Sequence, residues 1–184
     1  MLKKLTIAVA GVLLMANVAL AESIDTRKDF QVLKDVATSV ERYTRFTIFD
    51  DVSASVKDGV VTLTGKVTMP YKRSDIEQRV AKVNGVVTVR DQITVLPVSQ
   101  FDDELRYRIA RSIYSNSNFW NYAIMANPPI HIVVDHGRVT LTGVVQNNVD
   151  RMLARSLATQ FGAFSVTNAL KTDAEVRESL EKTE

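Results

Sequence analysis

The chain has 184 residues, of which 46% are hydrophobic and 24% charged, with seven Gly, four Pro and no Cys. This is the composition of a folded protein held by packing alone, and it excludes disulfides, thiol catalysis and cysteine metal sites. The 23 Lys+Arg against 21 Asp+Glu give no strongly basic field, so nucleic-acid binding, which needs several clustered cations, is not expected.

At the N-terminus, Lys3 and Lys4 precede an apolar run from Leu5 to Val18, and Ala19-Leu20-Ala21 offers a small-x-small exit. That pattern is a signal peptide over residues 1–21, cut before Glu22, and the run is shorter than the roughly 18–20 residues of a spanning helix. A lipid anchor would need a Cys at the cut. The expected product is exported and periplasmic, and Lys3 and Lys4 leave with the leader, so the mature chain is neutral at 21 against 21.

The mature chain contains one module twice. Val56-Lys-Asp-Gly-Val-Val-Thr-Leu-Thr-Gly-Lys-Val67 recurs as Val134-Asp-His-Gly-Arg-Val-Thr-Leu-Thr-Gly-Val-Val145, an offset of 78. Gly85 and Val89 to Ile93 match Gly162 and Val166 to Leu170 at 77, while Phe30 and Tyr43 match Phe101 and Tyr114 at 71. The drift predicts about seven extra residues in the second copy, between its first helix and first strand.

In the first copy, Leu33, Val36, Ala37 and Val40 recur at helical spacing behind Thr26 and Asp29, a plausible capping pair. Val52, Ala54 and Val56 alternate as a strand, Asp58-Gly59 signals a two-residue hairpin, and Val61, Leu63, Gly65 and Val67 alternate as its partner. Ile76, Val80 and Val83 stripe a second helix ended by Asn84-Gly85. Val87, Val89, Gln92, Ile93 and Val95 supply the last strand.

Leu96 to Ser99 is a short linker. In the second copy Leu105, Ile109 and Ile113 stripe the first helix, capped by Asp102 or Ser99. Ile130, Ile132 and Val134, then Val139, Leu141, Gly143 and Val145, form the hairpin. Val149, Leu153, Leu157 and Phe161 stripe the second helix, and Val166 and Leu170 lie in the closing strand. After Thr172 a charged, loosely held tail is expected, with Val176 and Leu180 its apolar anchors.

The order αββαβ makes the fold class α+β: each module a three-stranded mixed sheet with two helices on one face. The other sheet face carries Thr and charged residues or packs on the neighbouring module. The domains are expected at 22–97 and 98–172, with the tail at 173–184.

The doubled Val-x-x-Gly-x-Val-x-Leu-x-Gly-x-Val segment resembles the BON domain family, across residues 27–172. Gly59, Gly65 and Gly85, with Gly137, Gly143 and Gly162, fall where that family keeps glycines. A leader followed by two copies looks like the hyperosmotically inducible periplasmic proteins. The resemblance implies a non-enzymatic module associated with phospholipid membranes, envelope integrity and osmotic stress. It fixes no ligand residues.

The residues themselves suggest no catalysis, cofactor or metal. His131 and His136, of opposite strand parity, read as a solvent-facing strand residue and a turn residue rather than a metal pair. Asp50-Asp51 precedes a strand and Asp102-Asp103-Glu104 opens a helix, where capping is the simpler role and a weak cation site the alternative. The segment Ser115 to Pro129 holds the only Trp. Phe119, Trp120 and Tyr122 beside Arg106, Arg108 and Arg111 would suit an anionic membrane surface; alternatively Phe119, Trp120 and Ile124 fold onto the core or dock the first module. The partner is accordingly a phospholipid surface or an envelope protein, the second case making the chain a protein-interaction or chaperone-like module.

Overall fold

The structure is a computed structural model whose described residues are 28–181. The leader over 1–21 and the cap residue Thr26 lie outside them, as does the side chain of Leu180. The chain runs α1 (28–41), β1 (Asp51–Lys57), β2 (Val60–Val67), α2 (Pro70–Val80) and β3 (Thr88–Val95) in the first module. The second has α3 (Gln100–Tyr114), a 3-10 turn (Ser117–Phe119), α4 (Trp120–Ala123), β4 (Ile130–Asp135), β5 (Arg138–Val145), α5 (Asn148–Ala158), β6 (Ser165–Asn168), β7 (Lys171–Thr172) and α6 (Asp173–Glu181).

Each sheet is mixed, as the αββαβ order requires. β1 and β2 pair antiparallel and β3 returns parallel to β2, in the order β1-β2-β3. The second sheet has the order β4-β5-β6, with β7 also paired to β5. It therefore counts four strands rather than three, because the closing segment breaks at Ala169 and Leu170 and its two pieces lie in succession along β5. Alternation puts Val61, Leu63 and Val67, and in the second copy Val139, Leu141 and Val145, into two cores.

Several apolar stripes sit differently from their expected places. Val32, Val36 and Val40 fill the α1 face, while Ala37 is exposed. On α5 the buried residues are Ala154 and Ala158, with Leu153 and Leu157 packed beside them, and Val149 is exposed. α2 stops at Val80, before Asn84-Gly85, because three-residue turns take over: Val83 N–H donates to Val80 and Val86 N–H to Val83. The tail is helical from Asp173. Thr172 and Glu175 form a capping box, each backbone N–H donating to the other's side chain, and Arg151 pairs with Glu175 at 2.8 Å.

The aspartate opening each first helix has a tertiary job. Asp29 accepts from the backbone N–H groups of Asp58 and Gly59, and Asp102 from those of His136 and Gly137. Both turns carry positive φ at their two central residues, near 50° and 70°, the hairpin geometry that a Gly in second place permits. Ser99 is the N-cap of α3, accepting from Asp102 N–H at 3.2 Å. With Asp29 and Asp102 equivalent, and Val32, Val36 and Val40 filling the places of Leu105, Ile109 and Ile113, the first helices correspond at an offset of 73. The second copy thus carries about five extra residues rather than seven.

The modules dock through different surfaces. The Ile48 carbonyl accepts from Ile132 N–H at 2.7 Å, on the edge of β4 that β5 leaves free. His131 donates from Nδ1 to the Asp50 carbonyl at 2.7 Å and lies against Phe46. Phe49 meets Tyr107 edge to face, Lys66 pairs with Asp135, and Asn127 donates to the Glu41 carbonyl. His131 is thus a junction residue rather than a solvent-facing one. His136 does sit in the turn with its ring exposed, bonded through Nδ1 to Asp135.

Candidate functional site

The extra residues of the second copy form the 3-10 turn and α4. Asn116 opens the turn by accepting from Asn118 N–H. Phe119 and Tyr122 then point inward, 0% and 4% exposed, and pack against each other inside the second core. One turn of helix puts the intervening and following residues on the other side. Trp120 and Ile124 are each 65% exposed and Met125 is 50% exposed.

Tyr122 anchors the segment by two hydrogen bonds. Its hydroxyl donates to Asp150 Oδ2 at 2.6 Å and accepts from Gln146 N–H at 2.8 Å. Burial and the neighbouring Asp150 carboxylate push the phenol up to about 12. Asp150 also accepts from Asn147, the N-cap of α5, through its side-chain amide. The inserted loop is therefore fastened to the start of α5.

The first module solves the same problem with a buried ion pair. Asp50, fully buried, accepts from Lys72 Nζ at 2.6 Å and from the N–H and hydroxyl groups of Thr47 and Thr68. Burial raises its pKa, but the Lys72 ammonium and these donors outweigh that and hold it below the usual carboxylate range. All the lone pairs are engaged, which makes a buried charge tolerable. It also leaves Asp50 no role as a cation ligand. Among the described residues no group of three His, Asp or Glu side chains could hold a metal ion.

The six contact candidates of the second copy divide evenly. Trp120, Arg108 and Arg111 are exposed, Arg108 being paired with Glu104. Phe119 and Tyr122 are core residues, so the alternatives for this loop are both realised, on opposite faces of one turn. Arg106 is also buried: it pairs with Asp103 and donates from Nη2 to the Val134 carbonyl at 2.5 Å, on the free edge of β4. Arg106, Phe119 and Tyr122 therefore cannot touch a surface partner. Sequence reasoning missed Met125, Val149 and Met152, which add exposed apolar area in the second module. Val149 shares the helical spacing of Leu153 and Leu157 and so read as part of a core stripe.

The family model for the BON domain matches residues 28–97 and again residues 102–174. The chain belongs to the BON domain family. Its two BON modules supply both sheets and the helices α1, α2, α3 and α5, and the second BON module contains the inserted α4. No curated protein matches the sequence. Among solved structures, the C-terminal domain of CdsD, a structural protein of the type III secretion system of Chlamydia trachomatis, is 15% identical, with 81% of this chain and 68% of that one covered and a TM-score of 0.33. A second CdsD structure is 13% identical over 82% and 97%, with a TM-score of 0.29. Neither likeness bears on what the tandem BON protein binds. Among the described residues no helix is long and apolar enough to cross a membrane.

Proposed function

We propose that this is an exported, non-catalytic periplasmic protein of the envelope stress response, and that its second BON module docks on anionic phospholipid surfaces. The observation that carries the reading is the two-sided turn at α4. Phe119 and Tyr122 lock it to the core while Trp120, Ile124 and Met125 stand outward on the opposite side. An apolar residue set held rigid before binding loses little conformational entropy on insertion. An interfacial Trp suits the headgroup zone, and the exposed Arg108 and Arg111 add attraction to lipid phosphates. The non-catalytic part is supported by membership of the BON domain family.

Co-sedimentation with phosphatidylglycerol and phosphatidylcholine vesicles at low salt tests the reading. Binding to the anionic vesicles is expected, with a blue shift of the single Trp emission, and Trp120→Ala should weaken it severalfold. Equal indifference to both vesicle types, with a stable protein captured from envelope extract instead, would replace lipid with a protein partner.

A further inference from the structure

A second site lies where the two BON modules meet. A cleft of about 750 Å³ is floored by the outer face of the second sheet and walled by the Asp51–Lys66 end of the first hairpin. Four charges line it as a chain of neighbours. Asp51 and Lys66 are direct cross-strand partners on β1 and β2, Asp135 and Arg138 are direct cross-strand partners on β4 and β5, and Lys66 Nζ joins the two pairs by bonding Asp135 at 2.5 Å. The signs therefore alternate across the junction. The central pair is neutralised internally, and the Lys66 bond holds Asp135 below the usual carboxylate range. The end members, Asp51 and Arg138, have no side-chain partner among the described residues.

The duplication shows that these charges are not part of the shared scaffold. At the offset of 78, Asp51 corresponds to Pro129, Lys66 to Val144, Asp135 to Lys57 and Arg138 to Val60. Each position is charged in one copy, and its counterpart is apolar or of the opposite sign. Folding of a module does not need them, since the other copy folds without them. Beside and beyond Arg138, Thr140 on β5 and Ser165 and Thr167 on β6 offer hydroxyls on the cleft floor, and Phe164, 78% exposed, forms an apolar rim with Phe101.

We propose that this cleft binds a short extended peptide with free ends, its ammonium on Asp51 and its carboxylate on Arg138. A zwitterion with separated charges matches the two unpaired ends, whereas a simple anion would meet Asp51 and Asp135, and a simple cation Lys66 and Arg138. Two strand spacings of about 4.8 Å plus one salt-bridge span set an upper limit on the separation of the ends. Extended chain rises about 3.3 Å per residue, so a peptide of no more than about six residues reaches across. The cleft volume lies within the range of about 300–1,000 Å³ usual for small-ligand sites. The Thr140, Ser165 and Thr167 hydroxyls can bond the peptide groups and carboxylate at the Arg138 end without reading sequence, and the Phe164 rim takes one apolar side chain there.

The probe is the peptide Ala-Ala-Phe-Ala-Ala, titrated into the whole protein while backbone amide resonances are followed. Shifts are expected at Asp51, Lys66, Thr140 and Thr167. N-acetylation should weaken binding about two- to fivefold, as should C-amidation, each removing one exposed charge pair. In Asp51→Asn the free-ended peptide should bind as weakly as the acetylated one, and acetylation should then cost nothing further. Arg138→Gln should behave likewise toward amidation. Thermal unfolding of both variants should match the parent, since neither side chain is bonded to another among the described residues. Equal binding of end-blocked and free peptides, or shifts confined to the α4 face, would overturn the proposal. Vesicle binding is independent of either outcome.

Discussion

Tyr122 does in the second module what Asp50 does in the first. Each accepts from the first backbone N–H after the second hairpin strand, that of Gln146 or Thr68, and each bonds the side chain that the repeat places at the same point of the following helix, Asp150 or Lys72. The duplicated scaffold keeps the connection and exchanges the chemistry. A buried ion pair is replaced by a phenol bonded to a carboxylate, and the phenol reaches its place only because the loop is longer.

The phenol's contribution is separable from that of the insertion. Tyr122→Phe keeps the packing and removes two hydrogen bonds, leaving the Gln146 N–H without its partner. A loss of about 1–3 kcal/mol is expected in urea unfolding. Phe119→Ala should cost more, about 3–5 kcal/mol, since it empties a fully buried site.

The ion pair of the first module should fail when halved. Lys72→Met strands the Asp50 carboxylate in a buried site, and a loss of about 3–5 kcal/mol is expected at pH 7. The double variant Asp50→Leu/Lys72→Met should recover part of it. A double-mutant cycle on thermal or urea unfolding gives the coupling directly.

Acid dependence follows from the same carboxylate. Its folded pKa is depressed, so the native state holds fewer protons than the unfolded chain as pH falls past the unfolded value of about 3.9. The stabilisation is complete above that value and is lost as pH drops through the folded pKa. Unfolding midpoints measured from pH 7 to pH 2 should therefore fall below about pH 4, and Asp50→Asn should flatten the curve.

The alkaline side has the opposite sign. Burial and a carboxylate partner, Asp75 for Tyr43 and Asp150 for Tyr122, push both phenols up to about 12. The folded state keeps protons that the unfolded chain releases near 10, so stability is whole below that pH and falls between about pH 10 and 12. Absorbance at 295 nm should show late-ionising tyrosines, and Tyr43→Phe should remove one of them.

One glycine of each hairpin admits no side chain. A Cβ on Gly143 would stand 1.8 Å from the Pro129 carbonyl oxygen, and one on Gly65 2.1 Å from that of Asp51, with φ at +108° and +123°. Gly143→Ala should lose about 2–4 kcal/mol or misfold, because both the backbone conformation and the close approach oppose it. Circular dichroism melts would show the drop.

Strand alternation and turn chemistry were readable from the chain, whereas the helical stripes were only partly so: Ala37 and Val149, both at helical spacing, are exposed. Asp58-Gly59 and its repeat marked the hairpins, and alternation placed Val61, Leu63, Val139 and Leu141 correctly, because strand period and turn chemistry act over a few residues. Long-range pairings left no such signal. Asp29 looked like a helix cap because its acceptor role toward Asp58 and Gly59 acts across 29 and 30 residues. His131 has a polar side chain on an alternating strand, and only the docking of Asp50 makes it internal. The α4 turn was ambiguous for a different reason: its aromatic residues serve both faces, so neither burial nor exposure describes the whole cluster.

The coverage of β4 by Ile48 has a directional consequence. The first module contributes the loop and the second the strand edge, so the contact is heterologous, like one link of a head-to-tail chain rather than a two-fold pair. At the repeat offset the counterpart of Ile132 is Ala54 on β1, and nothing among the described residues covers that edge. Such a geometry has an open receiving end by construction, and its growth is arrested only by what lines it. Here the outward side chains of β1 are Ser53, Ser55 and Lys57, a short polar strand ending in a lysine, which is how exposed edges are kept from recruiting further strands.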